Sequence, residues 1–265
     1  MNRNFFYESF ENQIKIGKNE KKSTTPYEER GTNRTYFNLN SYLNPKYEEI
    51  SYFDSISFYF KTILNVIQES FSNFQKNLFE GQNLFPNGLF FGGTKLEQEP
   101  KIIFEFLTKF LTKTIPGKNL KKFIHVDSHI GVGSYGEDSL FVENDENGKY
   151  SRIFGSKIKN ENNLNNFDFM IKGSINFAIS DICKRLNIQY FGICHEFGTY
   201  SMQIVLRSLR IENSVFQKEG EILRSDSNEK INLLRTFYPD DDVWKKKCLN
   251  SGMSLMYKCI SLAEE

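Results

Sequence analysis

The stretch Phe123–Glu137, FIHVDSHIGVGSYGE, constrains the fold of this chain more than any other. The apolar run 123–126 predicts a short buried strand. This strand ends at Asp127 and His129, directly before a turn with three glycines. Because α/β sheets bind ligands beyond the carboxyl ends of their strands, we expect Asp127 and His129 to face a binding site.

A second stretch, Ile188–Tyr200 (IQYFGICHEFGTY), has the same arrangement. Its apolar run ends at His195 and Glu196, and Gly198 follows. Together the two strands would bring His129 and Glu196 to one edge of a sheet. A carboxylate at the end of an apolar strand suits general-base chemistry. An ion pair with a neighbouring Arg or Lys would explain Glu196 equally well.

The chain has three histidines, and their spacing limits the metal sites that they can form. His125 and His129 would share one face of a strand but lie about 13 Å apart along it. They are therefore not expected to hold one metal ion together. His129 can also be a hydrogen-bonded structural residue. Asp127 could orient the His129 imidazole through its second nitrogen or cap the end of the strand.

Two widespread catalytic motifs are absent from the sequence. No Gly-Lys-Ser/Thr follows the glycine turn after His129, which excludes a P-loop. No G-x-S-x-G occurs either, so a serine hydrolase has no support.

Composition indicates an ordinary globular chain of nearly neutral charge. Its 265 residues include 34 basic and 33 acidic side chains, a length that suits one large α/β domain or two small ones. Proteins that bind nucleic acids or anionic membranes have an excess of basic residues, so neither is expected as the main partner of this chain. The four cysteines show no C-x-x-C spacing and are expected to be reduced and buried. No apolar run approaches the ~18 residues of a membrane span, and no signal peptide is evident, so we expect a cytoplasmic protein.

Helical periodicity alternates with these strands. The predicted helices cover 54–80, 98–114, 168–186, 201–211 and the residues from Asp240 onward. With a further strand at 139–142, this order predicts a three-layer αβα fold. We expect its sheet to be mixed and mostly parallel. A single domain is expected over 1–265, with surface loops at 11–50 and 218–230.

The helix predicted over 54–80 has the most regular apolar stripe in the chain. The stripe consists of Ile56, Phe60, Ile63, Ile67, Phe71, Phe74 and Leu78. This regularity predicts a side that faces the core. The segment that follows, 81–93, combines four glycines with five large apolar residues. It is expected to be a packed loop with a constrained backbone, in a position to line a site.

Four segments, in this order, resemble the zinc carboxypeptidase-like family of unknown function. They are Asn2-Arg3-Asn4-Phe5, the loop 81–93, Asp127-x-His129-x-Gly-x-Gly and Glu196-Phe197-Gly198-Thr199. That family is related to the metallocarboxypeptidases and to the aspartoacylase and succinylglutamate desuccinylase group. The resemblance covers nearly the whole chain, as far as the last helix with Trp244.

The resemblance implies a phosphorylase/hydrolase-like fold and a zinc-dependent hydrolase that acts on small peptides or N-acyl amino acids. Asn2 and Arg3 would bind the substrate's carboxylate, a group that a guanidinium fits well. His129 would be the third zinc ligand, and Asp127 would orient the His129 ring through its other nitrogen. Glu196 would be the base that deprotonates zinc-bound water, whose pKa the metal brings to about 7.

The sequence departs from this family at the other two zinc ligands. In the family they come from a His-x-x-Glu motif upstream of the Asn-Arg pair, and no His-x-x-Glu occurs in this chain. The chain therefore resembles an N-terminally truncated member that lacks the first strands of the sheet. Because catalytic zinc takes three protein ligands, we expect this chain to bind zinc weakly or not at all. By itself it is expected to be inactive.

Three hypotheses remain open at this point. The chain is the C-terminal part of a zinc-dependent hydrolase, or a catalytically inactive remnant that binds a peptide or carboxylate end through Arg3. The third hypothesis is an unrelated α/β binding protein. No motif indicates the substrate or the oligomeric state.

Overall fold

The computed structural model describes residues 34–69, 74, 78, 81–114, 120–131, 133–142, 148–155, 158–160, 174–219 and 227–264. Its helices are α1 (Arg34–Leu43), α2 (Tyr52–Glu69), α3 (Gln98–Lys109), α4 (Lys149–Phe154), α5 (Ile175–Arg185), α6 (Met202–Glu219), α7 (Asn228–Phe237) and α8 (Asp242–Glu264). Its strands are β1 (Lys122–Ile130), β2 (Asp138–Val142), β3 (Ile158–Asn160) and β4 (Gln189–Phe197). A 3-10 turn lies at Tyr47–Glu49, where the sequence favours a helical turn. A π-helical turn at Phe110–Thr114 extends α3 to the end predicted for it.

The four strands form one mixed sheet in the order β1-β4-β2-β3. β1 pairs in parallel with β4, and β2 pairs in parallel with β3. Only the central pair, β2 with β4, is antiparallel. The expected mixed, mostly parallel sheet is therefore confirmed.

Helices cover the sheet on both faces. Because successive side chains of a strand point to opposite faces, Phe123 and Tyr190 pack with α3 and α5 on one face. Their neighbours Ile124 and Phe191 pack with α4 and α8 on the other. This is the three-layer αβα arrangement that the sequence predicts.

A third apolar cluster joins α1, α2 and α6 beside the sheet. It includes Tyr36 and Leu39 of α1, Phe58 of α2 and Leu206 of α6. The loop predicted over 11–50 is therefore wrong for residues 34–43, where a helix forms. Tyr36, Leu39 and Leu43 lie at helical spacing, and burial against α2 stabilises a segment whose composition is mostly polar. Residues 11–33 lie outside the described part of the chain.

The second predicted surface loop, 218–230, is also wrong at both of its ends. Helix α6 continues to Glu219, and α7 begins at Asn228. Ser227 caps α7 because its hydroxyl accepts a hydrogen bond from Lys230 N at 3.3 Å. Of the charged residues that suggested a loop, Glu229 and Lys230 lie in the first turn of α7. Residues 220–226 lie outside the described part.

The predicted orientation of α2 is wrong as well. Ile56, Phe60, Ile63 and Ile67 of the apolar stripe are exposed, although Phe74 and Leu78 further along the chain are buried. The buried side of α2 instead presents Phe58 and Thr62 to α1. The helix begins at Tyr52, two residues before the predicted start at 54, since Ser51 Oγ accepts a hydrogen bond from Asp54 N at 3.1 Å. Phe71 lies outside the described residues.

The last helix, α8, follows the sequence prediction closely. Trp244, Leu255 and Cys259 lie along its buried side. All four cysteines of the chain are free, and three of them are buried. None of the helices in the described ranges is long and apolar enough to cross a membrane.

The loop 81–93 is packed and constrained, as the sequence predicts. Gln82 N donates to Phe90 O at 3.1 Å, and Gly92 N donates back to Gln82 O at 2.8 Å. Phe90 adopts a positive φ of 60°. Asn44, directly after α1, accepts from Leu89 N at 2.8 Å. The loop is therefore held against the end of α1.

A buried ion pair joins α2 to α6. The Arg210 guanidinium binds both carboxylate oxygens of Asp54, at 2.5 and 2.6 Å, and donates to Tyr42 O at 2.7 Å. Arg210 is almost fully buried and also lies over the Phe58 ring. This side chain determines which side of α2 faces the core, because a buried guanidinium requires its partner carboxylate.

Removing Asp54 should therefore destabilise the whole α1–α2–α6 cluster. We expect Asp54→Ala to lower the free energy of unfolding by about 3 kcal/mol, since it leaves the Arg210 charge buried and uncompensated. The control is Asp181→Ala, which breaks an exposed i,i+4 pair with Arg185 and should cost less than about 0.5 kcal/mol. Urea denaturation monitored by circular dichroism measures both. Equal effects of the two substitutions would contradict the role given to the Asp54–Arg210 pair.

Candidate functional site at the ends of β1 and β4

The site predicted from the sequence forms where β1 and β4 run side by side. Strand β1 continues to Ile130, one residue beyond the strand end predicted at Asp127–His129. His129 is the register partner of Glu196 in the adjacent parallel strand. Register partners in adjacent strands lie about 5 Å apart and point to the same face. The structure therefore places the His129 and Glu196 side chains next to each other.

Asp127 holds the imidazole of His129. Its Oδ2 lies 2.8 Å from His129 Nε2, and the two side chains are 20% and 33% exposed. Residues two apart in a strand share a face, so the strand itself positions this pair. A carboxylate on one ring nitrogen fixes the orientation of the ring and raises the basicity of the other nitrogen. His129 Nδ1 is therefore the atom suited to bind a metal.

Glu196 is buried and belongs to a compact group of polar side chains. Only 5% of the residue is exposed. Its register partner on the other side is Ser139 of β2, which is also buried. Cys194 lies two residues before it on the same face. Burial, together with the charges of Glu196 and Asp127, raises the pKa of the Cys194 thiol. Cys194 therefore stays protonated, and it is no candidate for a nucleophile.

The other two histidines are positioned for structural roles. His195 lies on the opposite face of β4, where its Nε2 is 3.0 Å from Asp138 Oδ2 in a buried pair that joins β4 to β2. His125 Nδ1 lies 2.6 Å from Asn176 Oδ1 and 3.2 Å from the Tyr190 hydroxyl. Burial lowers the pKa of His125, more than the Asn176 hydrogen bond and the Asp127 charge raise it. His125 is therefore held neutral between the sheet and α5.

The two glycine turns beyond the strands pack backbone to backbone. Gly198 N donates to Glu137 O at 2.8 Å, and Gly136 N donates to Gly198 O at 3.0 Å. The indole of Trp244 donates to the same Gly198 oxygen at 2.8 Å. A Cβ at Gly198 would overlap Ser134 O and lie 2.6 Å from the carbonyl carbon of Gly133. The two sequence motifs are thus parts of one structural unit, which α8 completes.

The described residues do not complete a zinc site by themselves. No group of three His, Cys, Asp or Glu side chains that could hold a metal ion occurs among them. His129 provides one nitrogen and Glu196 one carboxylate, whereas a catalytic zinc needs three protein ligands. Asn2 and Arg3, which the resemblance assigns to substrate binding, lie outside the described residues.

Two further polar side chains, Thr199 and Ser139, lie near the site. The Thr199 hydroxyl, three residues after Glu196, is buried and has no hydrogen-bond partner among the described residues. Ser139 lies beside Glu196 only because β2 inserts antiparallel next to β4. Thr199 belongs to the segment Glu196-Phe197-Gly198-Thr199, but no sequence pattern identifies Ser139. Strand order alone determines that neighbour.

Two cavities lie away from this site, along α6. One of about 420 Å³ lies between α6 and α7 and includes Arg207 and Arg235 in its lining. The other, of about 490 Å³, lies against the start of α2 and also includes Arg207. Neither is lined by His129 or Glu196. We assign the candidate chemistry to the strand ends because the polar side chains converge there.

The close approach at Gly198 makes a specific prediction for stability. Gly198→Ala should lower the free energy of unfolding by about 3 kcal/mol, because the added methyl meets backbone that cannot move without disturbing both turns. The control is Gly252→Ala in α8, where an added Cβ meets no atom within 4 Å. That change should be neutral or stabilise by up to about 1 kcal/mol. Thermal and urea denaturation of both variants provide the measurement, and a harmless Gly198→Ala would contradict the packing described.

Comparisons with known proteins identify the family. A comparison with curated proteins and one with solved structures each returned no match. The model of one family, described as "Protein of unknown function (DUF2817)", matches residues 1–251. This match includes both strands of the site, both glycine turns and the first part of α8, as far as Ser251. The chain therefore belongs to the DUF2817 family.

Proposed function

We propose that this chain contributes part of a carboxypeptidase-like hydrolytic site, with His129 as one metal ligand and Glu196 as the general base. The observation that carries the proposal is the register pairing of His129 with Glu196 on one face of the sheet. The four segments that resemble the zinc carboxypeptidase-like family add to it. The substrate class that the resemblance implies is a small peptide or an N-acyl amino acid.

Each of the three polar residues has one task in this proposal. Asp127 orients the His129 ring through the 2.8 Å contact at Nε2, and Nδ1 is the nitrogen that would bind the metal. Glu196 accepts the proton of the attacking water, a role that suits a carboxylate with little access to bulk solvent. Substrate binding by Asn2 and Arg3 rests on the resemblance alone.

The ligand count limits what this chain does by itself. Since the described residues supply fewer than three ligands, the remaining ones would have to come from other residues or from another polypeptide. We therefore expect weak zinc binding and no turnover by the chain alone. Tight binding of one zinc ion per chain would contradict this expectation.

Histidine NMR tests the metal ligand without any activity assay. In a Zn²⁺ titration of the purified chain, we expect the imidazole signals of His129 to shift and those of His195 to stay unchanged. Asp127→Asn should weaken the response about tenfold, because it removes the group that orients the ring. His195 serves as the internal control, since its ring is buried against Asp138. An unperturbed His129 under a large excess of Zn²⁺ would remove it as a ligand.

The base has its own test. In any form of the protein that hydrolyses an N-acyl amino acid or peptide, Glu196→Gln should lower kcat by about 10²–10⁴-fold and leave the zinc content unchanged. The matched control is Glu137→Gln, because the Glu137 side chain is 68% exposed. Full activity of Glu196→Gln would exclude the assignment. Ligand binding without turnover that is lost in Arg3→Gln would instead support the non-catalytic carboxylate binder.

A further inference from the structure

Helix α2 is apolar on two opposite sides, and the described part of the chain covers only one of them. Phe58 and Thr62 face the cluster with α1 and α6. The opposite side carries a stripe that we call the α2 seam, formed by Phe53, Ile56, Phe60, Ile63 and Ile67. These side chains are 81%, 51%, 62%, 52% and 73% exposed, respectively. A helix that is apolar on all sides is normally buried on all sides.

The spacing of the α2 seam is that of a helix–helix interface. Its residues follow one another at intervals of three, four, three and four, which is the a/d pattern of a coiled-coil heptad. The helix has 18 residues and is therefore about 27 Å long. Such a length presents two heptads to a partner helix. The pattern suits another helix better than an extended peptide, which would need a period of two.

The exposed area is large enough for a specific interface. We take the area of a large side chain as about 200 Å² and multiply it by the exposed fraction. The seam and its neighbours Tyr52, Tyr59 and Leu64 then expose roughly 900 Å². A standard interface buries about 800 Å² per partner. Monomeric proteins seldom expose apolar patches of more than about 300–600 Å². Together with these three flanking side chains, the α2 seam therefore reaches the size that a stable dimer needs.

The charges of α2 favour a protein partner over a membrane surface. The helix has one basic residue, Lys61, and two acidic ones, Asp54 and Glu69. Helices that lie on membranes have polar sides rich in Lys and Arg. Asp54 is also committed to Arg210. The seam itself contains no charge, so two copies of it can meet without repulsion.

We propose that the α2 seam is the interface of a homodimer, in which α2 of one chain packs antiparallel against α2 of a second copy. Full overlap of two antiparallel seams places the two-fold axis at Phe60, so that Phe60 meets Phe60 and Phe53 meets Ile67 of the other copy. An isologous contact of this kind needs one self-complementary surface only. Helix α2 of the second copy then covers the α2 seam from end to end.

The first experiment measures mass in solution. Light scattering after size exclusion should give twice the 31.1 kDa of the chain. Phe60→Glu and, separately, Ile63→Lys should each give the monomer mass, because they place a charge in the middle of the seam. Circular dichroism verifies that both variants are folded. The control is Phe106→Glu on α3, an equally exposed phenylalanine outside the seam, which should leave the mass unchanged.

The second experiment tests the direction of packing by cysteine cross-linking. Cys248→Ser is the background, because Cys248 is the least buried of the native cysteines. Under oxidation, Phe60→Cys should form a disulfide-linked dimer. Ile67→Cys should not, since its two copies would lie about 20 Å apart in an antiparallel pair. Phe53→Cys combined with Ile67→Cys should cross-link again.

Several results would overturn the proposal. They are a monomeric wild-type chain at high concentration, and a dimer that survives both seam substitutions. Binding of the wild-type chain to anionic vesicles that is lost in Phe60→Glu would assign the seam to a membrane instead. Efficient cross-linking through Ile67→Cys alone would exclude the antiparallel arrangement. None of these outcomes depends on the roles proposed for His129 and Glu196.

Discussion

The in-register, parallel pairing of β1 with β4 is the interaction on which the rest of the structure depends. It places His129 beside Glu196 and Asp127 beside Cys194, and it directs both glycine turns to the same edge. The turns then pack backbone to backbone at Gly198. A shift of register by one residue would turn every one of these side chains to the other face. Alternation thus separates the polar group with Glu196 from the buried His195–Asp138 pair on the opposite face.

A second constraint comes from the buried guanidinium of Arg210. It binds Asp54 of α2 and the Tyr42 carbonyl directly before the end of α1. Because this charge must keep its partner when buried, α2 is held with Asp54 towards α6. The apolar side of α2 that has the more regular spacing is consequently turned outward. The orientation of this helix is thus decided by an ion pair and not by its hydrophobic pattern.

The sequence prediction succeeded where the signal is local. Strands β1, β2 and β4 follow from short apolar runs, which glycines terminate in β1 and β4, and α8 follows from its buried stripe with Trp244. The three-layer order follows from the alternation of strands and helices. The sequence prediction failed at α1 and α7, because these helices are short and mostly polar and are stabilised by tertiary contacts. For the site, the neighbours His129 and Glu196 were expected at one edge, whereas Ser139 came from strand order alone.

By itself, the sequence determined the mixed α/β class and the glycine turns that follow β1 and β4, since apolar runs and glycine turns are properties of a few consecutive residues. It also determined that His129 and Asp127 share a face, because they are two apart in a strand. Only the tertiary structure decided that β4 lies beside β1, so that Glu196 is the neighbour of His129. Only it decided which apolar side of α2 is buried. Both choices depend on contacts between residues far apart in the chain, whose free energies no local pattern records.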